Sequence, residues 1–324
     1  MSVVDRTPTG TRDVLPDEMR ELRALMARMR EVFERGGYGE VYTPALEYER
    51  TFTRGEASRT SSPYRLFDEH GNVLVLRSDM TIPIARMVAS RFRTAPTPLR
   101  FCYFAHIFQG VRPRRGQSRE LLQAGVELIG APGPDGTVEA LTLLCDALEA
   151  AGLESFKVGL GDVTLYPTLL RSLGVGDEDS DTILAELALG DFVGVARELA
   201  RLRLREADAE LLLRVPRMRG GSELLEGLDG PLHDAGTGMR ELLGMLEPRT
   251  ARRVIFDFGL VHNLGYYTGA IFQVYDPAYG MPLGGGGRYD DLLGDFGRPL
   301  PAVGFGLDVE RVHIALRAEE RRRG

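Results

Sequence analysis

Apolar runs in this chain follow one another directly, without the regular strand and helix alternation of a parallel sheet. "LRFCYFAHIFQG" and "ELLQAGVELIG" are separated only by the loop "GVRPRRGQSR", and "RLFDEHGNVLVLRSD" carries turn chemistry in "EHGN" between two apolar runs. Later, "ARRVIFDFG" is followed by "YYTGAIFQVYD", and "AVGFGL" leads into the last helix, "DVERVHIALRAEE". Adjacent strands of this kind predict a mostly antiparallel sheet with helices packed on it, an α+β fold.

The helical segments have clear periodicity. Residues 17 to 35 set Met19, Leu22, Leu25, Met26, Met29, Val32 and Phe33 at helical spacing, with Pro16 before and Gly36 and Gly37 after as start and stop signals. The methionines there read as core or interface filler. "GEVYTPALEYERTF" reads as extended and broken at Pro44. In "TIPIARMVASRF", Pro83 fits only in the first turn of a helix, which puts Asp79 and Thr81 at the helix mouth. A helix over 136 to 151, a strand over 155 to 161 and a helix over 164 to 173 come next. From about Glu178 to Glu247, Leu, Ala, Arg and Glu dominate, so the expected organisation is a core in two parts, 1–175 and 248–324, with a helical insertion at 176–247.

Composition removes several classes of function. With 43% hydrophobic and 27% charged residues in 324, the chain is globular. A net charge of −7 gives no general attraction to phosphate backbones, and the terminal "RRRG" is too short to act as a basic patch. Cys102 and Cys145 lie in apolar runs without CxxC spacing and read as packed thiols in a reducing compartment. The scattered histidines His70, His106, His233, His262 and His313 offer no metal-binding spacing, so no metal is expected. No apolar run approaches the roughly 20 residues that cross a bilayer, and the N-terminus lacks a secretion signal. The expected location is the cytoplasm.

A candidate pocket emerges from strand alternation. In "RELLQAGVELIG", Gln123, Gly125 and Glu127 point to one face and Leu122, Ala124, Val126 and Leu128 to the other. The polar face fits a ligand lying against the backbone at Gly125, and equally a partly wet sheet face with a bulge there. The same alternation in "YYTGAIFQVYD" sets Tyr267, Gly269, Ile271 and Gln273 on one face. Carboxylate, amide and phenol groups together suit a ligand with several nitrogen donors. Asp79 and Thr81 fit an ammonium group, although Asp79 also fits simple helix capping. "GGGGRYD" lacks the context of a phosphate loop and reads as a flexible turn.

Read in order, these pieces resemble the catalytic domain of histidyl-tRNA synthetase, a class II aminoacyl-tRNA synthetase, over nearly the whole chain. "TGTRDVLPDEM", its helix and "YTPALE" are similar to the dimer-forming first motif, "IFQGVRPRRGQSRELLQAGVE" to the second, "GLVHNLGYYTG" to the histidine-specific loop, and "AVGFGLDVER" to the third. The resemblance implies that Asp79, Thr81 and Gln123 hold the α-amino end of histidine, while Glu127, Tyr266, Tyr267 and Tyr289 surround the imidazole. It also implies a loss. Where the second motif of the family begins Phe-Arg-x-Glu, this chain has Phe108 and Gln109, and where the histidine loop has a second phosphate-facing arginine it has His262; Arg311 of the third motif is kept.

Adenylation builds negative charge on a phosphate, and fixed cations aimed at that charge are its main catalyst. Neutral Gln109 cannot replace a guanidinium. The chain also stops about where a synthetase would begin its C-terminal anticodon-binding domain, so no anticodon-binding domain and no tRNA are expected. A synthetase-like body with these losses is similar to the family of ATP phosphoribosyltransferase regulatory subunits, and "LRSDMTIPIAR" is similar to that family's version of its segment. This resemblance implies a non-catalytic protein that needs no cofactor and no membrane. Its partners would be a short-form phosphoribosyltransferase catalytic subunit, histidine as effector, and a second copy joined through the first-motif helix. Glycine-rich segments such as 284 to 287 are then candidate two-state elements for passing on the effector signal.

Overall fold

The computed structural model describes residues 6–54, 63–110, 118–226, 228, 230–260 and 265–323. Its strands, in chain order, are β1 (Gly39–Glu40), β2 (Leu46–Tyr48), β3 (Arg65–Phe67), β4 (Val73–Leu76), β5 (Leu99–Phe108), β6 (Glu120–Ile129), β7 (Lys157–Asp162), β8 (Arg219–Gly220), β9 (Val254–Asp257), β10 (Ala270–Asp276), β11 (Tyr279–Arg288) and β12 (Ala302–Asp308). Nine of them form one sheet in the order β1-β5-β6-β12-β11-β10-β7-β9-β8, and β2-β4-β3 form a small second sheet. The run from β5 through β7 is antiparallel at every junction; β1 with β5 and β7 with β9 are parallel. The expected α+β fold with an antiparallel central sheet is therefore the one found.

One face of the sheet is covered by helices. Ala124, Val126 and Leu128 of β6 share a large core with Leu22, Leu25, Met29, Val32 and Phe33 of the helix Pro16–Arg35 and with the helices Asp135–Ala151 and Val309–Arg323. Pro16 opens the first of these helices, and it ends at Gly36 and Gly37, the latter at φ +82°. The same core runs on into the helices Asp177–Ala188, Phe192–Arg201, Glu206–Arg214 and His233–Met245 through Ile183, Leu187, Val195, Leu199, Leu212 and Met239. Cys102 and Cys145 are buried free thiols that burial pushes up to about 12, which makes both poor nucleophiles at neutral pH.

The other face carries a second, smaller core of Tyr103, Leu121, Tyr266, Tyr289, Leu292 and Leu293 with Ile82, Ile84 and Val88. The last three belong to the helix Thr81–Arg91, in which Pro83 occupies the first turn as the spacing predicts. The hairpin β3-β4 also forms as expected, with the Asp68 carboxylate accepting from the His70 and Asn72 amides and Gly71 at φ +81°.

Two expectations fail for physical reasons. "ERTF" is not extended; Glu49–Arg54 is helical, and Phe52 packs from it into the smaller core with Ile82, Ile84 and Val88. The glycine run is neither a turn nor a mobile loop. Gly284 to Gly287 lie inside β11, paired on both sides with β10 and β12. A methyl group on Gly285 would stand 2.6 Å from the Phe272 carbonyl oxygen, and one on Gly287 would stand 2.8 Å from that of Ala270. Close strand approach selects glycine here against its poor strand propensity.

Candidate functional site

The sheet face opposite the large core is a trough floored by glycines. Across neighbouring strands Glu127 pairs with Phe101 and Gly304, Gly125 with Tyr103 and Gly306, and Gln123 with Ala105 and Asp308. Directly paired residues project to the same side, so the side chains of β5 and β6 lean over bare backbone on β12. A methyl on Gly304 would overlap the Glu127 carboxylate and come within 2.6 Å of the Val126 carbonyl oxygen. One on Gly306 would be 3.1 Å from the Tyr103 hydroxyl and 3.2 Å from Gln123 Oε1. On β11, Gly287 leaves room for the Tyr267 ring, which would be 2.9 Å from an added Cβ.

Glu127 is the centre of this arrangement. It is 1% exposed, its Oε1 accepts from Thr81 Oγ1 at 2.7 Å, and its Oε2 accepts from the Tyr289 hydroxyl. The Tyr266 ring stands 4.9 Å from that of Tyr267 and 5.8 Å, edge-on, from that of Tyr289, which walls the site with aromatic surface. Burial raises the Glu127 carboxyl to about 8, against the opposing effect of its hydrogen bonds from Tyr289 and Thr81. Burial likewise raises Asp79 to about 6, opposed by the amide of Ile82, which donates to Asp79 Oδ1 at 2.9 Å. Burial also pushes the Tyr103, Tyr266 and Tyr289 hydroxyls well above their ordinary range, so each stays a protonated donor at neutral pH. Two cations among the described residues are committed. Arg77 donates to the His106 and Thr43 carbonyls at 2.7 and 2.6 Å, and Arg288 pairs with Asp290 at 2.8 Å.

Of the residues singled out in the sequence, Thr81, Glu127, Tyr266, Tyr267 and Tyr289 meet at one point. Asp79 lies close enough for its charge to act on Glu127, Tyr266 and Tyr267. Gln123 sits further along the trough over Gly306, and Asp79 caps the helix Thr81–Arg91, the capping role being one of its two expected readings. One placement needs correction. Tyr266, Tyr267 and Gly269 precede β10, which begins at Ala270, because two consecutive tyrosines packed on the same site cannot both belong to a pleated strand. Ile271 and Gln273 do share the trough face, opposite Gly287 and Gly285. Tyr103, Gly304 and Gly306 were not anticipated, although their alternation in "FCYF" and "GFGL" was there to read. Gln109 lies just past β5, its backbone N–H donating to the Arg119 carbonyl at 2.8 Å. His262 lies outside the described residues.

The raised Glu127 carboxyl has a signed consequence for stability. The folded chain keeps a proton there that the unfolded chain releases near the ordinary value of 4.5, so this contribution is complete below that pH and is lost as pH rises toward about 8. Glutamine at 127 stays neutral throughout. The Tm of Glu127→Gln relative to the unsubstituted chain is therefore expected to rise by roughly a few °C between about pH 5 and about pH 9. A difference that stays flat across that range would show that Glu127 ionises normally.

Similarity to known proteins agrees with this fold. The histidyl-tRNA synthetase family matches residues 10–312. A relative from Symbiobacterium thermophilum named ATP phosphoribosyltransferase regulatory subunit is 41% identical over 317 residues, covering 96% of this chain and 79% of that protein. A similarly named protein from Rubrobacter xylanophilus is 40% identical over 97% of this chain and 77% of its own length. Among solved structures, an ATP phosphoribosyltransferase regulatory subunit/histidyl-tRNA synthetase from Bacillus halodurans superposes with a TM-score of 0.86 at 34% identity, over 98% of this chain and 84% of that one. A histidyl-tRNA synthetase from Nostoc reaches a TM-score of 0.79 at 18% identity, which speaks for the fold alone. With its synthetase-like sheet, and with curated relatives of this identity and coverage carrying one name, the chain belongs to the ATP phosphoribosyltransferase regulatory subunit family.

Proposed function

We propose that this chain acts as the non-catalytic regulatory subunit of an ATP phosphoribosyltransferase, binding histidine in the trough and passing its occupancy to a short-form catalytic subunit in the first step of histidine biosynthesis. The observation that carries this reading is the buried Glu127 carboxyl held by the Thr81 and Tyr289 hydroxyls beside two tyrosine rings in tilted contact. An imidazole ring offers two nitrogens in a plane, matching a carboxyl group on one side and phenols on the other. Asp79, Thr81 and Gln123 would take the α-amino end.

The site is poor for phosphate activation. At the end of β5 stands a neutral amide, Gln109, and the Asp79 carboxylate lies within the pocket, where charge building up on a phosphate would be repelled. Regulation then follows from linkage: histidine binds one state of the complex better than the other, and a coupling of about 1–3 kcal/mol gives useful feedback inhibition. The helix Pro16–Arg35 is the proposed contact for a second copy, and residues 176–247 are taken as an insertion between two parts of the core, 1–175 and 248–324.

The test is to assay phosphoribosyl transfer by the short catalytic subunit with and without this chain, across a histidine titration. Histidine inhibition that depends on this chain supports the reading. Robust histidine-dependent exchange of pyrophosphate into ATP by the chain alone would overturn it in favour of an active synthetase-like enzyme.

A further inference from the structure

Beyond Gln123 the trough ends at the first turn of the helix Val309–Arg323. Asp308 is the last residue of β12 and pairs across the sheet with Gln123, so its side chain leaves on the trough face. Its Oδ1 accepts from the Arg311 amide at 3.0 Å and its Oδ2 stands 2.9 Å from Arg311 Nε. The other end of the guanidinium donates through Nη1 to the Pro282 carbonyl at 2.9 Å. Glu310, between them in sequence, is taken by Arg12 at 2.8 Å.

An exposed helix amide beside a guanidinium is the ordinary chemistry of an anion site. Here both donors are already spent on a carboxylate of the protein itself, 9% exposed on its side chain, and Arg311 is only 24% exposed. We propose that Asp308 acts as a built-in counter-anion that determines ligand specificity, closing this end of the trough to phosphate-bearing molecules so that the face accepts an amino acid and rejects a nucleotide. The proposal rests on the reading of this face as the ligand-binding face. It also gives the retained Arg311 a role: its charge is cancelled in place, and it adds nothing to the attraction of an anion.

The experiment is equilibrium binding of ATP and of inorganic tripolyphosphate to the full chain and to Asp308→Asn, with Asp308→Ser as a second variant. Both replacements keep a side-chain oxygen for the helix amide while removing the charge that occupies Arg311. The variants are expected to bind each probe at least about tenfold more tightly than the unsubstituted chain, a gain removed by adding Arg311→Ala. A variant with unchanged Tm and no gain overturns the proposal. So does phosphate binding to the unsubstituted chain that disappears in Arg311→Ala, a result that needs no Asp308 variant to fold. A histidine titration on the unsubstituted chain reports separately on the pocket: no histidine binding sinks that reading while the phosphate comparison remains interpretable.

Discussion

Histidine titrated into Glu127→Ala is expected to bind about two orders of magnitude more weakly than to the unsubstituted chain, as truncating one partner of a buried, hydrogen-bonded polar pair costs roughly 2–5 kcal/mol. The loss has two sources. Glu127 is the only carboxyl on the sheet strands that the Thr81 and Tyr289 hydroxyls both reach among the described residues, so its removal strands one buried and one half-buried donor as well as the ligand's ring nitrogen. The second source is the proton. With its carboxyl raised to about 8, Glu127 can hold a proton in the empty pocket and yield it to an incoming imidazole, an exchange alanine cannot make. Thr81→Val and Tyr289→Phe each remove one of these hydrogen bonds and are expected to cost about 1 kcal/mol apiece. Calorimetry on the free chain, paired with histidine inhibition of the assembled complex, checks both levels. Undiminished binding to Glu127→Ala would move the effector to another surface, such as the boundary with the catalytic subunit.

What could be read from the sequence is what period and pairing encode. The two faces of β6 follow from alternation alone, and Ala124, Val126 and Leu128 do fill the large core while Gln123 and Glu127 face the trough. Pro83 fixes the helix mouth, and with it the position of Thr81. The tyrosine pair was identified but misplaced, because local β propensity in "YYTGAIF" extends the strand backward over residues that tertiary packing pulls out of it. The glycine run misled for a related reason. Four glycines carry no period, and only the distance between β10, β11 and β12 explains why they belong to a strand. Arg311 shows the remaining gap: sequence reports that the guanidinium is present, but only the structure reports that Asp308 has already engaged it.

The glycines of the floor provide the sharpest test of this packing. Gly304→Ala places a methyl group into the Glu127 carboxylate and against the Val126 carbonyl at 2.6 Å, with paired backbone on both flanks that cannot retreat. Overpacking of this kind costs about 1–3 kcal/mol, which in a domain of this size lowers Tm by several °C or so. The larger effect falls on binding. Glu127 must swing off its two hydroxyl partners to admit the methyl, so histidine affinity is expected to fall about as far as in Glu127→Ala even where the chain stays folded. Gly306→Ala should be milder, since the groups it meets, the Tyr103 hydroxyl at 3.1 Å and Gln123 Oε1 at 3.2 Å, sit at the ends of side chains that can yield. Gly39→Ala, with open space around its Cβ, is the control and should leave both Tm and affinity unchanged. If Gly304→Ala matched that control in both measurements, Glu127 could not lie over β12, and the pocket built around its carboxyl would have to be abandoned.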